Sequence, residues 1–227
     1  MTTDQPLIVA IDGPSGVGKS TVARRLAARL GLPHLETGAM YRALGLKVLE
    51  QGIDTEDRQR VEAQAAELDL RLKLGNGGEV EVLLDGEPLG ERIRTREVSE
   101  VTSRIAVYPA VRQRMVELQR AFAARHGAVL EGRDIGTRVF PTTPFKFYLS
   151  ASLERRIERR FQQLRSSQPA LTRDDVAAEV AQRDHRDITR RDSPLTLDSS
   201  YTEIDTGDLT VDQVVEKMAR KIAEVAG

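Results

Sequence analysis

Leu7-Ile-Val-Ala-Ile11, followed at once by Gly13-Pro-Ser-Gly-Val-Gly-Lys19-Ser20, is the stretch whose reading decides the fold. The apolar run reads as a buried strand. The eight residues after Asp12 match the phosphate-binding loop Gly-x-x-x-x-Gly-Lys-[Ser/Thr] in its required place between a strand and a helix. The helix is marked by Val22, Leu26 and Leu30 on one face and by Arg24, Arg25 and Arg29 on the other, with Gly31 placed to end it. Gly13, Gly16 and Gly18 allow backbone conformations that other residues resist, so that successive N–H groups can turn inward on phosphate oxygens. The positive end of the helix adds to that field. The nucleotide-binding set is therefore Gly13, Pro14, Ser15, Gly16, Val17, Gly18, Lys19, Ser20 and Thr21. Lys19 reaches the β and γ phosphates of a nucleoside triphosphate such as ATP, and the Ser20 hydroxyl is the expected ligand for Mg²⁺.

Outward from the loop, strands alternate with helices, which implies parallel βαβ units. Val129-Leu130 and Phe145-Lys-Phe-Tyr-Leu149 read as further core strands and residues 202–205 as a short last one. Helices are expected at roughly 38–51, 95–107, 110–125, 152–166, 173–190 and 211–225, the last opening with the capping box Thr210-Val-Asp-Gln213. Between 68 and 89 the period changes to two. Leu68, Leu70, Leu72 and Leu74 alternate with charged residues, and after Gly75-Asn-Gly-Gly78 the alternation resumes at Val80, Val82 and Leu84. This is an antiparallel hairpin with one apolar face, expected to form a lobe separable from the core. Asp85-Gly86 offers a second turn into a brief strand near Pro88-Leu89. A helical hairpin from about 154 to 186, with a loop over Ser166–Thr172, has the charged, weakly apolar character of a moving lid. The fold class is thus a P-loop α/β protein, a three-layer α/β/α with a parallel central sheet, a small antiparallel β insertion and a helical lid. The expected division is a core of 1–36, 95–153 and 187–227, an acceptor-binding lobe of 37–94 and a lid of 154–186.

Composition narrows the function. The 227 residues carry a net charge of −1, which speaks against a general nucleic-acid or membrane-surface binder. There is no cysteine, so disulfides and thiolate metal sites are excluded. The polar start and the lack of a long apolar run lead to the expectation of a soluble, cytoplasmic monomer. The 34 basic residues divide into 6 Lys and 28 Arg, and arginine is the side chain suited to two-point phosphate binding. They cluster at Arg155, Arg156, Arg159 and Arg160, and again at Arg183, Arg186, Arg190 and Arg191. The only asparagine, Asn76, lies in no Asn-Lys-x-Asp sequence, so the guanine-reading element of Ras-like GTPases is absent, and no strand ends in Asp-Glu as in motor-type ATPases. A small kinase remains.

Beyond the loop, Glu36-Thr-Gly-Ala-Met-Tyr-Arg42, Ile93-Arg-Thr-Arg-Glu-Val98, Gly132-Arg-Asp-Ile-Gly136 and Arg183-Asp-His-Arg-Asp-Ile-Thr-Arg190, with Pro194-Leu195, resemble bacterial cytidylate kinases in order and spacing from about residue 6 to about 222. The resemblance implies transfer of the γ-phosphoryl group of ATP to CMP or dCMP, with Mg²⁺, giving CDP or dCDP and ADP. It places the acceptor among Thr37, Tyr41, Arg42, Ser103, Arg112, Arg133, Asp134, Arg183, Asp187 and Arg190. Of these, Ser103, Arg112 and Asp134 correspond to contacts to cytosine, and Asp187 with its neighbouring arginines to contacts to sugar and phosphate. A carboxylate beside Ser and Arg donors complements the cytosine edge, whereas uracil would set a carbonyl against Asp134. The family usually has Asp where this chain has Glu36 and Glu131. Thr37 is also a natural N-cap for the helix that follows it.

The acceptor phosphate has a second pKa of about 6 and is already largely a dianion at neutral pH, so no general base is needed. The expected catalytic set is Lys19 on the donor, Arg133, Arg183 and Arg190 on the acceptor, and the lid arginines Arg159 and Arg160 on the moving phosphoryl group. A kinase of another monophosphate such as UMP, and a nucleotide-binding switch that transfers nothing, are the alternatives left open by the residues alone.

Overall fold

The computed structural model describes residues 6–75, 77–165 and 168–226, with the backbone alone for Ala226. The chain begins with strand β1 (Ile8–Asp12), helix α1 (Lys19–Leu30), strand β2 (His34–Glu36) and helices α2 (Thr37–Glu50) and α3 (Arg58–Glu67). Three short strands follow, β3 (Leu70–Leu74), β4 (Val80–Leu84) and β5 (Glu87–Pro88), and then a 3₁₀ turn over Gly90–Arg94 leads to α4 (Arg96–Ile105) and α5 (Pro109–His126). Next come β6 (Ala128–Gly132), a single π-helical turn (Ile135–Val139), β7 (Phe145–Ser150), α6 (Leu153–Leu164), α7 (Arg173–Thr189), β8 (Thr202–Asp205) and α8 (Val211–Ala226).

The main sheet is all parallel in the order β2-β6-β1-β7-β8. Side chains alternate between its faces, and the packing follows. Val9, Ile11, Val129, Phe147 and Leu149 bury against α1 and α8, whereas Ala10, Leu35 and Leu130 bury on the other side with α2 and α5. The result is the three-layer α/β/α arrangement expected of the strand–loop–helix pattern. Short parallel strands covered on both faces leave the loops at their carboxyl ends as the natural place for a ligand, and β1, β6 and β7 all end there.

Two elements were not anticipated. Strand β2 has three residues, of which only Leu35 is apolar, too short for a period to show. Helix α3 buries only Val61 and Ala65, one turn apart on an otherwise polar surface, and it starts at Asp57, whose carboxylate accepts the Arg60 N–H at 3.1 Å. The anticipated cap forms, Thr210 and Gln213 bonding reciprocally, and Thr172 and Asp175 make a second capping box at α7 that was not anticipated. Ser166 and Ser167 of the expected lid loop, and Asn76 of the hairpin turn, lie outside the described residues.

The expected antiparallel hairpin forms, with Leu70 opposite Leu84 and Leu74 opposite Val80, and Asp85 and Gly86, both with positive φ, turn the chain into β5. Its packing differs from expectation. Leu70, Val82, Leu84 and Leu89 join the same apolar cluster as Leu35, Met40 and Leu130. The hairpin is a wall of the core, because its apolar face is too small to bury against itself. Helices α6 and α7 instead share a cluster of their own, Ile157, Leu164, Val176 and Val180. Among the described residues no helix is long and apolar enough to cross a membrane.

Candidate active site

Strand β1 ends at Asp12, and the chain turns through Gly13 with φ of 146°. A Cβ here would fall 2.2 Å from the Leu149 carbonyl oxygen of β7, so glycine is required by space as well as by φ. At Gly16, with φ of 81°, a Cβ would fall 2.9 Å from the Arg156 carbonyl oxygen of α6. The N–H groups of Ser15, Gly16, Val17 and Gly18 donate to no protein acceptor among the described residues. The first N–H groups of α1, which no helix satisfies internally, lie next in the chain. The loop is thus a set of unpaired donors at a helix N-terminus, the arrangement that binds anions. Lys19 lies buried under it, its ammonium donating to the Gly13 and Pro14 carbonyls at 2.7 Å each. Burial, reinforced by Arg133 and Arg183, pushes the Lys19 pKa well below the usual lysine value.

The side chains opposite the loop come from the ends of β6 and α7. Ser20 donates its hydroxyl to Glu131 Oε2 at 2.9 Å, and Glu131 is buried. This pair of hard oxygen donors at the edge of the phosphate loop fits Mg²⁺, which takes one or two protein oxygens and completes its shell with phosphates and water. No group of three or more His, Cys, Asp or Glu among the described residues could hold a metal ion unaided.

Beside them Arg133 donates to Asp187 Oδ2 at 2.8 Å and to the Gly132 carbonyl at 3.1 Å. Arg183 makes no hydrogen bond or ion pair among the described residues. Burial, and repulsion from Arg133, Arg42 and Arg160 against the pull of Asp187, lower its pKa to about 10. Asp187 is held below the usual carboxylate range, since Arg133, Arg183 and Arg190 outweigh its burial. Lys19, Arg42, Arg133, Arg160 and Arg183 therefore crowd one region, in which Lys19 and Arg183 are both pushed toward the neutral form. Such a concentration is costly in an isolated protein, and it is what an oligophosphate compensates.

Beyond this group, Asp134 forms a buried ion pair with Arg112, and Arg190 Nη2 stands 3.9 Å from its other oxygen. The Arg112 guanidinium lies over the Tyr41 ring, 5.6 Å from its centre. Burial raises the Tyr41 hydroxyl to about 12, so it stays protonated. The Ser103 hydroxyl accepts from Arg186 at 3.2 Å, and Arg42 pairs with Glu36. Arg190 Nη2 and Arg42 Nε are buried and have no hydrogen-bond partner. The structure thus joins Tyr41, Arg42, Arg112, Arg133, Asp134, Arg183, Asp187 and Arg190 in one neighbourhood of ion pairs, ring contact and charge coupling, with Ser103 reached through Arg186 of α7. Thr37 differs from its alternative reading as a cap. Glu36 occupies the N-cap position of α2, and the Thr37 hydroxyl donates to the Glu131 carbonyl at 2.7 Å, tying α2 to the end of β6.

A model of the family described as cytidylate kinase matches residues 9–224. The chain belongs to the cytidylate kinase family. Relatives bearing the name cytidylate kinase include one from Syntrophotalea carbinolica, 43% identical, the match covering 97% of this chain and 94% of the relative. Another, from Caldanaerobacter subterraneus subsp. tengcongensis, is 44% identical over 94% of this chain and 93% of the relative. Among solved structures, an uncharacterized protein from Eubacterium ventriosum shares the fold, with a TM-score of 0.52 at 13% identity, covering 97% of this chain and 99% of that one.

Around the loop and its neighbouring charges, three residues were passed over by sequence reading. Arg156 was visible only as one member of an arginine cluster. It is the buried arginine that braces the loop, donating to the Ser15 carbonyl at 3.3 Å and pairing with Asp184. Arg159 is placed otherwise than expected. Nearly one turn beyond Arg156 on α6, its guanidinium grips Thr206 through the carbonyl at 2.6 Å and the hydroxyl at 3.0 Å, while the Thr206 hydroxyl in turn lies 2.9 Å from the Val17 carbonyl. Arg160 bonds to Gln163 and lies 3.7 Å from Glu179. Asp12, the last residue of β1, accepts from the N–H groups of Ile135 and Gly136 at 2.9 and 2.8 Å and from the Tyr201 hydroxyl at 2.7 Å, and burial raises its pKa to about 6. It fixes the π-helical turn that presents Arg133 and Asp134. Glu131 could have been found as the acidic residue ending a buried strand.

Proposed function

We propose that this chain transfers the γ-phosphoryl group of ATP to CMP or dCMP, and the observation that carries the reading is the unbalanced cationic focus of Lys19, Arg133 and Arg183 facing a phosphate loop with free amides. The loop and Lys19 hold the donor phosphates. A cavity of about 300 Å³ on the outer flank of the loop, lined by Gly18, Thr21, Arg159, Arg160 and Thr206, receives the donor's nucleoside. Ser20, with Glu131 behind it, would hold Mg²⁺, which would supply neutralisation of the donor phosphate charge. Arg133, Arg183 and Arg190 draw in the acceptor phosphate, whose oxygen attacks in line without a protein base. Asp134 and Arg112 read the base from the far end of the cleft, with Ser103 beside them on α4. Helices α6 and α7 act as the lid, carrying Arg160 and Arg183 toward the transferring group and excluding water.

The test is ADP release from ATP with each of CMP, dCMP, UMP, AMP and GMP in turn. Release is expected with CMP and dCMP and far less with the others. ADP release that is indifferent to the acceptor would refute the assignment.

A further inference from the structure

His34 opens the edge strand β2 and belongs to none of the groups above, yet it connects two of them. Its backbone N–H donates to the Gly78 carbonyl at 3.1 Å, and it bridges Glu79, so the tip of the β3–β4 hairpin is laid on the free edge of the main sheet. Its ring Nε2 lies 3.0 Å from Glu131 Oε1, and the two side chains are only 11% and 5% exposed. The second oxygen of the same carboxylate accepts from Ser20. A glutamate has one more rotatable bond than an aspartate, so a buried Glu131 needs a second anchor if its free end is to stay at the Ser20 hydroxyl. The imidazole N–H supplies it, in the manner of outer groups that orient metal-side carboxylates by hydrogen bonding.

We infer that His34 is a positioning residue. Through its ring it holds the Glu131 carboxylate on the metal side of Ser20, and through its backbone it makes the β insertion part of that support. This rests on the assignment of Ser20 and Glu131 to Mg²⁺ made above. A merely structural histidine at a sheet edge would affect folding and every ligand alike. A positioning histidine affects the metal increment alone.

The experiment is calorimetric binding of ADP to the full chain, first in EDTA and then over a Mg²⁺ series, for the wild type, His34→Leu and His34→Gln. Leucine removes the donor, and the glutamine amide replaces it. The expected result for His34→Leu is a rise of about tenfold in the Mg²⁺ concentration that half-saturates the tightening of ADP binding, the lower end of the effect of such outer partners. Its ADP affinity in EDTA stays unchanged, and His34→Gln restores most of the loss. Adding His34→Leu to Glu131→Asp, whose shorter side chain falls short of the ring, is expected to cost little more, because the two changes act through one contact. Unchanged Mg²⁺ dependence in a folded His34→Leu protein overturns the inference, as does an equal loss in EDTA and Mg²⁺. If the leucine variant does not fold, His34→Phe, a ring without the N–H, carries the same two outcomes. A wild type whose ADP binding gains nothing from Mg²⁺ removes the metal assignment itself, a failure visible before any variant is read.

Discussion

The β3–β5 hairpin and the α6–α7 helical pair both interrupt the run of core strands, and they are attached to the protein in opposite ways. The hairpin gives Leu70, Val82, Leu84 and Leu89 to the cluster that also holds Leu35, Met40 and Leu130. The helical pair keeps four buried apolar residues to itself and meets its surroundings largely through polar contacts: Arg156 on the Ser15 carbonyl, Arg159 on Thr206, Glu179 near Arg96, Arg186 on Ser103 and Asp187 with Arg133. At about 1.5–3 kcal/mol for each fully buried aliphatic side chain, a four-residue cluster holds two helices together but does not fasten them to a neighbour. Ion pairs with partly exposed partners add little. A segment of this kind opens at lower cost than the core. The hairpin has no such freedom, and its tip supports β2 beside the phosphate loop.

The largest expected effect distinguishes these attachments directly. A chain lacking residues 69–89 loses four buried apolar side chains from the main cluster and is expected to lose cooperative folding, seen as the absence of a thermal transition by circular dichroism. Retention of a normal transition and of ATP binding would restore the view of the hairpin as a separable lobe. A milder comparison is Leu84→Ala against Val176→Ala. The first should lower global stability by about 2–5 kcal/mol in urea unfolding, the range for a buried leucine truncated to alanine. The second should leave the global transition nearly in place, speed hydrogen exchange only in α6 and α7, and reduce turnover with CMP. Equal global destabilisation by both would mean that the two regions are fastened alike.

The sequence displayed the architecture where the period was long and the chemistry rigid. The loop from Gly13 to Ser20 needed no partner to be read, because glycines at positive φ, a lysine and a hydroxyl in fixed spacing admit few other uses. The hairpin itself also followed from its period of two. What stayed hidden depends on contacts between distant residues. Nothing in Leu70 or Val82 tells which apolar surface they will meet. Arg156, Arg159 and Arg160 look equivalent in a row, and only the phase of α6 against the loop separates the brace at Ser15 from the grip on Thr206. Glu131 and His34 are 97 residues apart, and their pairing is created by β2 and β6 lying side by side. The proposed acceptor residues from Tyr41 to Arg190 were legible only through family resemblance, since no spacing in the sequence brings residues of α2, α4, α5 and α7 together.

The central claim is that the cationic focus exists to receive phosphate and is tolerated rather than needed by the empty fold. Arg183 tests it most directly, because its burial and its arginine neighbours lower its pKa while no bond repays them. Arg183→Met is expected to cut turnover with CMP by about 10²-fold or more, as for loss of a charge stabilising the transferring group, and to leave the ligand-free protein as stable as the wild type or more so. A variant that keeps its turnover, or one whose thermal stability falls in step with its activity, would contradict the account.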